Sequence, residues 1–145
     1  MSGTHDYLAE LSMDGQALLL PQPEVRLLES VLDLESDAAG GYWLMGLHGR
    51  VPVWSLDRRL AVLESPPPGR RFCALLGEDE IRFGLTVSGF RLIRAGECRL
   101  SPLPVALRGP DPVLTGVAVL GERILPLSDC AHLARRLPWP AEAVS

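Results

Sequence analysis

The stretch Leu47-His48-Gly49-Arg50-Val51-Pro52-Val53-Trp54-Ser55-Leu56-Asp57 is answered later in the chain by Leu120-Gly121-Glu122-Arg123-Ile124-Leu125-Pro126-Leu127-Ser128-Asp129. Each copy holds a glycine-containing turn, an arginine, an apolar run broken by one proline, and then Ser and Asp before a helix-like segment. Glycine lets the chain reverse and the apolar run reads as a strand. A proline inside a strand removes a ladder donor, so each copy is expected at a sheet edge or a bulge. The Ser or Asp at the exit can cap a short helix, over Leu56 to Leu60 in the first copy and Ala131 to Leu137 in the second. Two such units imply two similar β subdomains.

The rest of the chain supports this pattern. Leu8 to Met13, the turn Asp14-Gly15 and Gln16 to Leu20 read as a hairpin. Pro21 and Pro23 end it; Val25 to Leu34 is ambiguous between strand and helix, and Ser36 to Gly41 is a loop of small residues. Pro66-Pro67-Pro68-Gly69 is a stiff linker between two halves, followed by Arg70-Arg71. Phe72 to Leu76, Ile81 to Val87 and Gly89 to Ile93 are strands, the first two joined by an acidic tip, Gly77-Glu78-Asp79-Glu80. Leu100 to Leu107 reads as an extended loop. Val113 to Val119 and Arg123 to Leu127 form a last hairpin, and Asp129 to Leu137 a helix stopped by Pro138. Leu75, Phe83, Leu85, Val87, Val117, Val119, Ile124 and Leu127 are the expected core. Many short strands punctuated by Gly and Pro predict an all-β barrel architecture.

Composition narrows the function. The chain has 145 residues, 47% apolar and 22% charged, with a net charge of −4. One domain with a substantial core is expected. An acidic balance argues against nucleic-acid binding, which needs clustered positive charge, and acids sit beside the phenylalanines of the Phe72 to Phe90 region. No apolar run is long enough for a membrane span and no charged-then-apolar leader opens the chain, so a cytoplasmic protein without membrane insertion is expected. All 14 basic residues are arginine, and Lys and Asn do not occur. This reads as a GC-rich coding bias, hence a bacterial source.

Catalytic signals are weak. Cys73, Cys98 and Cys130 are widely spaced, with neither Cys-x-x-Cys nor a Cys-to-His ligand spacing. Cys73 reads as a buried small hydrophobe. His5, His48 and His132 have no nucleophile motif beside them. The expectation is no enzyme, no metal and no cofactor.

The order Gly46 to Leu56, Phe72 to Val87, Leu100-Ser101-Pro102-Leu103-Pro104, then Thr115 to Leu127 resembles the CheW-like family of chemosensory adaptors. Its members read Gly-Val-x-Asn-Leu-Arg-Gly before an apolar strand with Pro and then Asp-Leu, and close on a Gly-Val hairpin and a helix. Leu18-Leu19-Leu20-Pro21 with Val25 resembles the family's opening. The resemblance covers about residues 7–137, read as a single domain with a tail over 138–145. It implies a mainly β fold of two SH3-like five-stranded barrels packed on a shared core, with short helices at strand exits. Subdomain one would span about 16–66 and subdomain two about 70–127, with exchange of strands between them allowed.

The family implies a non-enzymatic adaptor that couples the regulatory domain of a chemotaxis-type histidine kinase to a methyl-accepting chemotaxis receptor or an accessory protein. A small-ligand-sensing or protein-docking barrel unrelated to chemotaxis is the alternative. This chain departs from the pattern in its first half: the family's Asn falls on Gly46, its Arg on His48 and its Asp on Ser55, and Asp37-Ala38-Ala39-Gly40 replaces a proline pair. The expected partner-binding residues are Trp43, His48, Arg50 and Trp54, around the altered turn. For three of them a plainer reading stands beside docking: a surface turn histidine for His48, and core packing for the two tryptophans.

Overall fold

The computed structural model describes residues 6–46, 49–78, 81–107 and 113–140. The chain is mainly β, folded as two curled, SH3-like sheets. Its first half supplies β1 (Tyr7–Met13), β2 (Gln16–Pro21), β3 (Val25–Ser30), β4 (Glu35–Ser36), β5 (Tyr42–Gly46), β6 (Gly49–Leu56) and the short β7 (Val62–Leu63). The second half supplies β8 (Phe72–Glu78), β9 (Ile81–Val87), β10 (Gly89–Arg94), β11 (Arg99–Pro102), β12 (Gly116–Leu120) and β13 (Arg123–Leu127), then helix α1 (Cys130–Arg136).

The two sheets have matching orders, β10-β1-β2-β13-β12-β11 and β3-β8-β9-β6-β5-β4, with β7 beside β6. Each half therefore lends its opening hairpin to the sheet built by the other half. β1–β2 sits between β10 and β13, and β8–β9 sits between β3 and β6. Two parallel seams close the exchange: Leu127 beside Leu19, and Val53 and Trp54 beside Gly84 and Leu85. The seams are one and two residue pairs long.

The repeated stretch forms β5–β6 and β12–β13, two antiparallel hairpins with the same register. Gly46 pairs Gly49 in one and Leu120 pairs Arg123 in the other. With the seam residues Val53 and Leu127 equated, Pro52 falls on Pro126, but Arg50 falls on Ile124 and Arg123 on Gly49. The prolines correspond; the arginines are displaced by one residue and so point to opposite faces. The expected edge or bulge position is overturned, because β6 and β13 are interior strands. Both prolines are tolerated because each immediately precedes its short seam, where no parallel ladder needs the missing N–H.

The first expected short helix, Leu56 to Leu60, is replaced by a turn. Asp57 Oδ1 accepts from Arg59 N (2.8 Å) and Ala61 N (2.9 Å), Leu60 adopts φ 65°, and β7 returns along β6. An aspartate that captures its own following backbone competes with helix formation, and here it wins. The second copy does close on a helix, where Asp129 Oδ1 caps α1 by accepting from His132 N at 2.8 Å. The ambiguous Val25 to Leu34 segment is β3 followed by a 3-10 turn over Val31–Asp33. The expected loop from Leu100 includes the edge strand β11. Asp14-Gly15 is the predicted turn, with positive φ at both residues (53° and 83°), the combination that matches strand twist.

Leu11, Leu18 and Leu20 of one sheet pack on Leu76, Phe83 and Leu85 of the other, with Leu133 of α1 covering them. Each sheet also encloses its own smaller core, around Leu19, Ile93 and Leu125 in one and around Leu44, Val53 and Cys73 in the other. Phe83, Leu85 and Val87 are buried as expected. Ile124 is not: it is 71% exposed, while its neighbours Ala118 and Leu125 are buried. Val117 and Val119 share the outward face with it and, like Leu75 and Leu127, are half-buried. Apolar residues occupy both faces of this hairpin, so no alternation marked the inner one.

Candidate functional site

The site grows from the outer face of β5–β6. On this face Trp43 pairs Pro52, Met45 pairs Arg50 and Glu35 of β4 pairs Trp43. Residues of opposite parity, Leu44, Val51 and Val53, fill the barrel interior. Alternation thus leaves a mixed outer surface over a firm apolar base.

Trp43 is the anchor of that surface. It is 5% exposed, and its indole N–H donates to Asp37 Oδ2 at 2.7 Å. The other oxygen of Asp37 accepts from Ala39 N at 3.0 Å and Gly41 N at 2.7 Å. The bond from Trp43, then that from Gly41, holds the Asp37 carboxyl below the usual range, and the nearby Arg50 charge adds to this. The Arg50 guanidinium carbon lies 4.0 Å from the centroid of the Trp43 ring, a cation–π stack. Trp43 therefore fixes both the 37–41 loop and an exposed arginine.

Trp54 lies further along β6 and is half-buried. It packs edge-on against Phe83 (6.1 Å between centroids) and Trp139 (5.0 Å), and these two also meet at 5.9 Å. Trp139 is tied down by its indole N–H, which donates to Ala134 O at 2.7 Å. Trp43 and Trp54 line a single groove of about 310 Å³, closed by Leu63, Pro138 and Pro140. The structure thus brings Trp43, Arg50 and Trp54 onto one region, Trp54 by way of the groove. His48 lies outside the described residues.

The sequence reading missed several contributors. Met45, 58% exposed beside Arg50, carried no motif, and Trp139 stood in an assumed tail. Arg70 directly follows the proline linker in sequence, yet its side chain is fully buried. It donates to both Asp14 oxygens (2.7 and 3.3 Å), to Leu56 O (2.7 Å) and to Thr86 O (3.1 Å), and Thr86 Oγ1 meets Ser55 Oγ at 2.6 Å. Ser55, one of the departures from the adaptor pattern, is therefore a buried residue hydrogen-bonded to Thr86 at the base of the groove.

Chemistry elsewhere is structural. The Cys73 thiol is pushed up to about 12 by burial, with Glu29 adding to it, which makes it an inert core group. Among the described residues no group of His, Cys, Asp and Glu could hold a metal ion. His132 Nδ1 sits 2.8 Å from Asp129 Oδ1 within the cap of α1.

No protein-family model matches the chain, and no curated protein matches it in sequence. In structure it is similar to the scaffolding protein TtCheW from Thermoanaerobacter tengcongensis, with a TM-score of 0.65 over 86% of this chain and 88% of that one, at 12% identity. The chain has a CheW-like fold.

Proposed function

We propose that this protein is a non-enzymatic adaptor of a bacterial chemosensory system, working in the cytoplasm and joining a histidine kinase regulatory domain to a receptor or accessory protein. The observation that carries the reading is the CheW-like fold over nearly the whole chain. The surface chemistry is consistent with it. An exposed Met and Arg beside a buried Trp is the composition of a protein-binding patch. Among the described residues, no helix is long and apolar enough to cross a membrane.

In this reading Trp43, His48, Arg50 and Trp54 belong to the face through which the first half meets its partner. Its altered turn, with Gly46 and His48 in place of the family's Asn and Arg, fits a specialised receptor or accessory protein. The second half, closer to the family pattern, meets the kinase. The test is titration of the purified protein against the kinase regulatory domain and the receptor signalling tip encoded beside its gene, and against a generic receptor tip. Tight binding to the neighbours and weak binding to the generic tip is expected. Binding to neither neighbour would overturn the adaptor reading.

A further inference from the structure

Arg50 is arranged as a receptor for an anionic group. Stacking on Trp43 immobilises its planar guanidinium, which lowers the entropy lost when the fork engages a partner. The acids around it are otherwise engaged or out of contact. Asp37 spends both oxygens on three N–H donors, and Glu35, on the same sheet face beyond Trp43, forms no ion pair among the described residues. Among the described residues Arg50 forms no salt bridge, so its donors face solvent. Met45 stands opposite it across the hairpin, 58% exposed. Trp43 also lines the 310 Å³ groove, whose lining includes neither Arg50 nor Met45 and whose volume is at the lower end of those that hold a drug-sized ligand.

We propose that Met45, Arg50 and Trp43 form a recognition site for a carboxylate side chain on the partner protein, with an apolar side chain of the same partner segment seated in the groove between Trp43 and Trp54. The inference rests on the adaptor reading and adds to it the chemistry of what is recognised. A carboxylate matches the guanidinium fork in a bidentate pair, and an apolar neighbour covers the pair and strengthens it by excluding water. The direction is fixed by charge: Asp37 and Glu64 line the groove, so the partner's acid is placed on the Arg50 side and the groove takes the uncharged end.

The experiment uses the full chain with the same two neighbours, the receptor signalling tip and the kinase regulatory domain, each carrying single Asp or Glu to Arg reversals on its surface. Arg50→Glu is expected to weaken binding to the receptor signalling tip by about 100-fold while leaving binding to the kinase regulatory domain unchanged, and Arg50→Lys to weaken receptor binding by about 10-fold because it keeps charge without the fork. One acid-to-Arg reversal in the receptor tip should restore binding to Arg50→Glu. The thermal midpoint of Arg50→Glu reports folding separately. A folded Arg50→Glu protein that binds the receptor tip as the wild type does would overturn the inference and leave the adaptor reading standing. Weakened binding that no reversal restores would also overturn it. If the wild type binds neither neighbour, the adaptor reading itself fails.

Discussion

Arg70 and Asp14 hold the two halves of the chain together through a bidentate pair, Nη2 to Oδ2 at 2.7 Å and Nε to Oδ1 at 3.3 Å. Asp14 tops the hairpin that the first half lends to the other sheet, and Arg70 leaves the proline linker that opens the second half. The same guanidinium satisfies the carbonyls of Leu56 and Thr86, so one side chain ties β1–β2, β6 and β9. Arg70→Ala strands buried acceptors, each at about 1–3 kcal/mol, and should lower stability by about 3 kcal/mol or more. Asp14→Asn, at a partly exposed position, should cost clearly less. Urea denaturation measures both; equal small losses would show that the network is not a fastener.

Glu10 gives the protein an acid limit. It is buried on β1 and takes Arg91 Nε at 2.9 Å and Arg123 Nη2 at 2.9 Å. Burial pushes its carboxyl up, but the hydrogen bonds from Arg123 and Arg91 outweigh burial and leave it below its ordinary value. A depressed folded pKa contributes stability that is present above the unfolded value and lost as pH falls through the folded one. Stability should therefore drop on acidification below the ordinary glutamate range of about 4.3. Glu10→Gln should flatten that part of the pH–stability curve, which denaturation midpoints across acid pH would show.

The outward face of β12–β13 can be checked by substitution. Leu125→Ala empties a buried position and should cost about 2–5 kcal/mol, whereas Ile124→Ala on the outward face should change stability by less than about 0.5 kcal/mol. Comparable losses at the two positions would reverse the assignment of faces.

Hairpins were readable because their signals are local. Asp14-Gly15 carries its own turn chemistry, and Asp129 with Pro138 brackets a helix. The exchange of β1–β2 and β8–β9 left no such mark, since a strand's apolar pattern says which face is buried and not which half supplies its neighbour. The site was half legible for the same reason. Tryptophans and an arginine near a turn could be singled out, but the stack of Arg50 on Trp43 needs two strands in register. The bond from Trp43 to Asp37 needs a loop whose sequence looked merely flexible. Arg70 failed most completely, because nothing local distinguishes a buried arginine from a solvated one beside a proline run.

Gly84 pairs Val53 in one of the seams, and an added Cβ there would meet Cys73 Sγ at 2.6 Å and Val53 Cγ2 at 2.9 Å. Gly84→Ala should therefore cost about 1–3 kcal/mol by overpacking. Adding Cys73→Ala removes the nearer obstacle and should recover part of the loss. A double variant no more stable than the sum of the singles would place the strain elsewhere in the barrel.

Trp139 joins the groove to the shared core. Its ring meets Trp54 and Phe83, and its N–H holds Ala134 O near the end of α1, so removing it acts on packing and on the helix terminus together. A fully buried Trp→Ala costs about 3–5 kcal/mol, and the partial exposure of Trp139 sets the expected loss nearer 2 kcal/mol. Trp139→Phe keeps the ring contacts and loses only the hydrogen bond, at about 1 kcal/mol. Hydrogen exchange separates the two effects: Trp139→Ala should deprotect the last turn of α1 and the Trp54 region of β6, while Trp139→Phe should deprotect the helix end alone. Unchanged exchange at β6 in Trp139→Ala would mean that Trp54 is held by Phe83 and the seam without help from Trp139.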